Sequence, residues 1–346
     1  MNGSFKTALI NYIRRWAVIR DRPNIMESLA ASLLCIGLVL LAWFVVTAGP
    51  VEKRLVDPIT LPSLSEAVSS FPRLWYERAV ARSAIWSLGR VFGGFLLAIA
   101  IGVPLGVLSG AFLRLNAFLK PVSIFGRNIP IAALIPLTLM WFGLGETQKV
   151  MFIFFASVAF IFFDSTAAVQ GVPDSHLDAA YTLGAHNSWR KGALLAALAG
   201  LAYCIIFISA NWFLSQQPGP NDAALWSAWR WRFFSLGFFG FALGFILWFP
   251  ILSIQPISKI LFPLALPDIV NSLRLLFGLA FGYIMLAEVI NAEYGLGAII
   301  NLSQRQGPRE HIYLSLILIA LLAFAIDRGI LSLQRRLFPY RSAGEH

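Results

Sequence analysis

The chain has 346 residues, 58% of them hydrophobic and only 13% charged, with 27 Lys and Arg against 17 Asp and Glu. A soluble domain carries about 25% charged residues, so this composition excludes an ordinary water-soluble enzyme. The net charge of +10 comes from basic residues gathered in tails and loops, where anionic lipid headgroups explain it better than nucleic acid does.

A bilayer core of about 30 Å needs about 20 apolar residues per helix. The runs Ser28–Val51, Val91–Leu113, Gly192–Asn221 and Phe233–Ser258 carry no charge. Helices are therefore expected, because a β-barrel shows short alternating segments instead. The only cysteines, Cys35 and Cys204, lie in apolar runs and suggest neither a disulfide framework nor a metal site.

In chain order, residues 1–27 read as a cytoplasmic amphipathic segment, with Phe5, Leu9, Ile13 and Trp16 near one helical face. Residues 28–82 hold a first span, Ser28–Gly49, read as a retained signal anchor. A polar extracytoplasmic loop follows, with a short helix at Ser63–Ser70. A second span, Ala84–Phe112, carries Gly94, Ala98, Gly102, Gly106 and Gly110 at four-residue intervals. That stripe lets another helix approach closely, and Pro104 is placed to bend the span. The third span, Pro121–Gly143, contains Pro130 and Pro136. Prolines at this depth suit backbone that faces protein or a water-filled path.

A fourth span is expected at Val150–Val169, then a polar stretch at Gln170–Lys191. Two further apolar runs, Ala193–Leu214 and Phe233–Ile254, flank a Pro/Gly/Trp-rich loop. After Lys259–Pro267 come a span at Asp268–Ile290, a loop at Asn291–His311 and a last span at Ile312–Leu333. That makes about eight spans with both termini cytoplasmic. The Lys and Arg excess on the inner side is small and comes mostly from the tails.

The segment Asp178-Ala179-Ala180-Tyr181-Thr182-Leu183-Gly184-Ala185 falls on the cytoplasmic side in this arrangement. It reads as a short helix with a small face, which Gly184 can end. Such a helix fits a groove on a soluble partner. Four stretches surround or contain it: Ser87–Gly110, Lys120–Val150, Val172–Ala185 and Lys259–Ile300. Together they resemble the permease core of binding-protein-dependent ABC importers, most closely the nitrate/sulfonate/taurine branch. The resemblance implies an all-α polytopic membrane protein: a type I, MetI-like permease core with an N-terminal span and two extra inserted spans. It divides the chain at residues 83–192, the first part of the core ending in the coupling loop; 193–255, an inserted helical pair; and 256–346, the second part of the core with a cytoplasmic tail.

In that family the glutamate-alanine-alanine loop docks on the ATPase. The resemblance therefore implies a coupling role for Asp178, Ala179, Ala180, Gly184 and Trp189, with Asp where the family usually has Glu. It also implies a cytoplasmic ABC ATPase dimer that binds ATP and Mg, a second permease subunit of the same kind, an extracytoplasmic substrate-binding protein, and a bacterial inner membrane location. The family runs straight on where this chain inserts the two apolar runs between Lys191 and Lys259.

Charges at membrane depth are costly and usually face the bundle interior or a path. Arg127, beside Pro130 in the broken third span, is placed either to meet an anionic substrate or to snorkel or cap a helix carbonyl. Glu288 resembles an acidic position of the family and is read as a structural partner of an Arg. The chain has no G-x-x-x-x-G-K-[ST] loop, so it is read as a transport subunit and not an enzyme. The alternative is a secondary transporter or channel needing no ATPase, which predicts inverted repeats; no convincing repeat is visible. A membrane enzyme acting on lipid would need a polar catalytic cluster at one interface, and none is visible either.

Overall fold

A computed structural model describes residue 18 and residues 24–50, 54–58, 60–185, 189–214, 223–307 and 309–339. Apart from Val18 and residues 24–27, the amphipathic segment expected at residues 1–27 lies outside the described residues. The chain divides into two compact units, Met1–Ser70 and Phe71–His346.

In the first unit, α1 (Ile25–Thr47) has 23 residues and spans about 35 Å at 1.5 Å per residue. The second helix, α2 (Leu64–Ser69), begins at the expected serine. The Ser63 hydroxyl accepts from the Glu66 amide, and the Glu66 carboxylate accepts from the Ser63 amide, a complete capping box. The Trp43 indole donates to the Pro62 carbonyl at 3.0 Å and ties α2 back to α1.

The second unit opens with a short helix, α3 (Phe71–Tyr76), that the sequence reading left in a loop. The long helix α4 (Val80–Ala111) then runs unbroken through Pro104. Beyond it, α5 (Leu113–Asn128) and α6 (Leu134–Phe142) are joined by a 3-10 turn. The expected third span is thus longer than Pro121–Gly143 and is broken: Leu113–Asn128 and Ile131–Phe142 meet at 88°. The break falls at Pro130, which cannot donate a backbone hydrogen bond and disfavours helix in the residue before it.

The next helix, α7 (Glu146–Gln170), lies parallel to α4 along the small-residue stripe. A Cβ on Gly94 would sit 2.4 Å from the Val150 carbonyl oxygen. One on Gly106 would sit 2.5 Å from Ser165 Cβ, and one on Gly110 would sit 2.6 Å from Val169 Cβ. In lipid, helices associate by close van der Waals contact, because leaving the bilayer for a neighbour buries nothing from water. The glycines are what permit that contact.

The expected polar stretch contains α8 (Asp174–Thr182). The region expected to be an insert forms α9 (Trp189–Leu214) and α10 (Ala223–Ser253), two antiparallel helices pressed together where Gly192 meets Ser253, Gly200 meets Phe241 and Gly244 meets Tyr203. Because α10 starts at Ala223, it takes in the Trp-rich part of the stretch read as a loop. A π-helical turn at Ile257–Leu261 leads into α11 (Phe262–Asn291), which begins earlier than expected and runs through Pro267. The predicted Asn291–His311 loop is largely helical, as α12 (Leu296–Gln306). The last helix is α13 (Glu310–Leu337).

Among the described residues, five helices are long and apolar enough to cross a membrane, and the bent α5/α6 pair makes a sixth if it is one span. A count of eight depends on α9 and α10, which have 26 and 31 residues.

Candidate functional site

Three groups of residues stand apart from plain helix packing. The first is a buried charge cluster near the start of α7. Arg90, on α4, is 1% exposed and reaches two carboxylates at once. Its Nη2 donates to Glu146 Oε1 at 2.8 Å and its Nε to Glu146 Oε2, while Nη1 donates to Glu288 Oε1 at 2.7 Å. Lys149 Nζ meets Glu146 Oε1 at 2.7 Å. Two cations and two carboxylates leave the cluster formally neutral.

The remaining lone pairs are also used. Ser87 Oγ lies 2.7 and 2.9 Å from the two Glu288 oxygens and accepts from the Leu296 amide at 3.0 Å. The Gly297 amide donates to Glu288 Oε2 at 3.0 Å, and Arg90 Nη1 also donates to the Tyr294 carbonyl at 2.6 Å. Gly295 has φ +146°, and a Cβ there would sit 2.5 Å from the Glu288 carboxyl and 2.8 Å from Arg90 Nη1. A side chain at that point would displace the ion pair. The cluster therefore binds α4, α7, α11 and the Tyr294–Gly297 turn together. Glu288 pairs with Arg90. Glu146, Lys149 and Ser87 were not singled out from sequence, although an acidic residue in the first turn of an apolar helix is a usable signal.

The second group surrounds Arg127, in the last turn of α5. Its guanidinium carbon lies 3.5 Å from the centre of the Phe163 ring, a close cation–π contact. Its Nε is buried with no hydrogen-bond partner among the described residues. Asp164, next to Phe163 in the chain, supplies an opposite charge near Arg127. Pro130, three residues on, is exposed at the α5/α6 break. A second pair within the bundle, Arg274 Nε to Asp327 Oδ1 at 3.3 Å, joins α11 to α13.

The third group is α8 and the turn that ends it. The Ala185 amide donates to the Ala180 carbonyl at 3.0 Å and the Gly184 amide to the Tyr181 carbonyl at 3.1 Å, with Gly184 at φ +78°. This is a Schellman turn, and it explains the glycine. Asp178, Ala179 and Gly184 are exposed. Ala180 is only 6% exposed and packs within this chain, so the exposed small residues here are Ala179 and Gly184. Tyr181 and Leu183, 64% and 87% exposed, offer apolar surface beside Asp178. The side chain of Trp189 lies outside the described residues.

These features can be set beside known proteins. Residues 102–254 match the family described as binding-protein-dependent transport system inner membrane component. The taurine transport system permease protein of Escherichia coli strain K12 is 23% identical over 339 residues, covering 96% of this chain and 98% of that one. The putative aliphatic sulfonates transport permease protein of Bacillus subtilis strain 168 is 21% identical, covering 84% of this chain and 82% of its own. Among solved structures, the MetNI methionine ABC transporter in an inward-facing conformation superposes with a TM-score of 0.51 at 18% identity. That superposition covers 97% of the solved chain and 77% of this one, so this chain carries segments beyond the shared fold. The description of that family names dependence on a binding protein. Over residues 102–254 the chain is thus similar to the binding-protein-dependent transport system inner membrane components, and along nearly its whole length to the permease protein of a transport system.

Proposed function

We propose that this permease carries a small anion, and that α8 is the surface on which a cytoplasmic ATPase pair acts. The chain itself is not an enzyme; ATP and Mg belong to the partner. Two permease copies form the path, an extracytoplasmic binding protein delivers the solute, and both termini face the cytoplasm. ATPase closure pulls on α8 and swings the helices between inward- and outward-open states, each favoured by its own contacts. An anionic group on the solute is supported by the relatives' names: aliphatic sulfonates and bicarbonate are anions, and taurine is a zwitterion that carries a sulfonate. It is also supported by Arg127, because a guanidinium with a spare donor matches the oxygens of a sulfonate or carboxylate.

The observation that carries the coupling role is the exposed apolar pair Tyr181 and Leu183 beside Asp178, held on a helix closed by a Schellman turn. At 87% exposed, Leu183 can be changed without disturbing the permease itself. Leu183→Asp is therefore expected to leave insertion and folding intact while weakening ATPase retention by about tenfold or more, through an unpaired charge buried at the contact. Co-purification of the ATPase from lipid, with solute-stimulated ATP hydrolysis, is the readout. Unchanged retention and transport in Leu183→Asp would make α8 an ordinary connecting helix.

A further inference from the structure

The α9–α10 hairpin has no part in the reading above, yet it makes one specific polar contact with the core. Pro104 lies inside α4 and has no amide hydrogen, so the carbonyl four residues earlier, Ala100, loses its helical donor. Ala100 is 6% exposed at membrane depth, where water cannot supply the missing bond. The Tyr203 hydroxyl, from α9, donates to that carbonyl. Trp248 Nε1, from α10, donates in turn to the Tyr203 oxygen at 3.1 Å.

The surroundings fit this contact closely. Tyr203 is 5% exposed and packs with Ala100 and Leu247, flanked by Leu105, Leu243 and Trp248. Gly244 leaves room for the ring, since a Cβ there would lie 2.7 Å from Tyr203 Cγ. Trp248 also meets Phe262 edge-on at 5.6 Å, linking the hairpin to the start of α11. The hairpin thus touches α4 and α11, and its first residue follows α8 by only a few positions.

We propose that the hairpin is an intramolecular clamp: Tyr203 gives Ala100 the hydrogen bond that Pro104 withholds, and so ties the segment after α8 to α4. In its functional arm the clamp rests on the permease reading. A pull on α8 then reaches α4 through the hairpin as well as through α7. Tyr203 acts here as a positioning residue, and the proline is half of the device.

A double-mutant cycle on the full chain in lipid nanodiscs tests this. Tyr203→Phe is expected to lower the folded-to-unfolded ratio about fivefold or more, because a buried carbonyl is left unsatisfied. Pro104→Ala restores the backbone donor, so in that background Tyr203→Phe should cost less than about twofold. If Tyr203→Phe alone fails to fold, recovery of folded protein in the double variant is the same result. In the assembled transporter, Tyr203→Phe should raise the ATP consumed per solute imported, and Pro104→Ala should return it toward the original value. Additive losses in the stability cycle, or an unchanged ATP-to-solute ratio in Tyr203→Phe, would overturn the clamp. The stability cycle needs no ATPase, so failure of the clamp and failure of the permease reading are told apart.

Discussion

Arg90 and Arg127 are both arginines inside a helical bundle, and they are held in opposite ways. Arg90 spends its donors on Glu146, Glu288 and the Tyr294 carbonyl, at 1% exposure. Arg127 leans on the face of Phe163 near the charge of Asp164, and keeps a buried Nε without a partner among the described residues. A charge held between two carboxylates and a backbone carbonyl holds structure. A charge with a donor left over is the one proposed to meet a solute. The contrast sets the joint of the bundle against the arginine proposed to meet the solute, and variants at each should fail in different ways.

The largest effect is expected at the saturated site. Glu288→Ala leaves Arg90, Ser87 and the Gly297 amide facing an empty place in the interior. Removing one partner of a buried ion pair costs about 3–5 kcal/mol, a large part of the stability of a typical domain. Folded yield and thermal unfolding in detergent are expected to collapse before transport can be read. If Glu288→Ala keeps the thermal midpoint of the parent, the cluster is not the joint that its geometry describes.

Arg127→Gln should behave differently. Only the cation–π contact and a charge beside Asp164 are lost, which is about 0.5–2 kcal/mol. The complex should assemble, with the ATPase retained, while import of an anionic solute falls. Flux in proteoliposomes with assembly measured on the same samples checks this. Equal import by Arg127→Gln and parent would return Arg127 to a purely structural role.

How much of this was legible in the sequence follows from the same physics. The stripe Gly94, Ala98, Gly102, Gly106 and Gly110 is local, so its meaning as a helix contact could be read directly; α7 is the helix that fills it. The break at Pro130 and the end of α8 at Gly184 are local as well. The charge cluster was not legible, because Arg90 lies 56 positions from Glu146 and 198 from Glu288. Glu146 looked like a loop charge because it sits one residue after Gly145, where the apolar run has not yet begun. The helix α12 was hidden by its polar residues, though Leu296, Ile299 and Ser303 fall at helical spacing on its buried face. The link from Tyr203 to Ala100 joins positions 103 apart and depends on knowing which helix lies beside Pro104.

The smallest expected effect comes from a third arginine, which sharpens the comparison by adding water. Arg54 meets Glu66 with Nη2 2.8 Å from Oε1 and Nη1 3.2 Å from Oε2, the same forked chemistry as Arg90 with Glu146. Here the Glu66 side chain is 36% exposed, and surface pairs of this kind contribute little. The Arg54 hydrogen bonds, then the Ser63 amide, hold the Glu66 carboxyl down at about 2 against an ordinary 4.5. A carboxylate depressed in the folded state contributes stability above its unfolded pKa, and that contribution is lost as pH falls toward 2. The capping box of α2 should therefore be intact at pH 6 and loosen between pH 4.5 and 2. Fluorescence of Trp43, whose indole is bonded to Pro62 just before α2, can follow it if the other tryptophans are replaced by Phe. Glu66→Gln should remove the pH dependence and leave a weaker cap at every pH, because an amide keeps an acceptor for the Ser63 amide but gives up the charge. A transition of the same size in Glu66→Gln would place the titrating group elsewhere, and the exposed pair would then no longer stand as the weak counterpart of the Arg90 cluster.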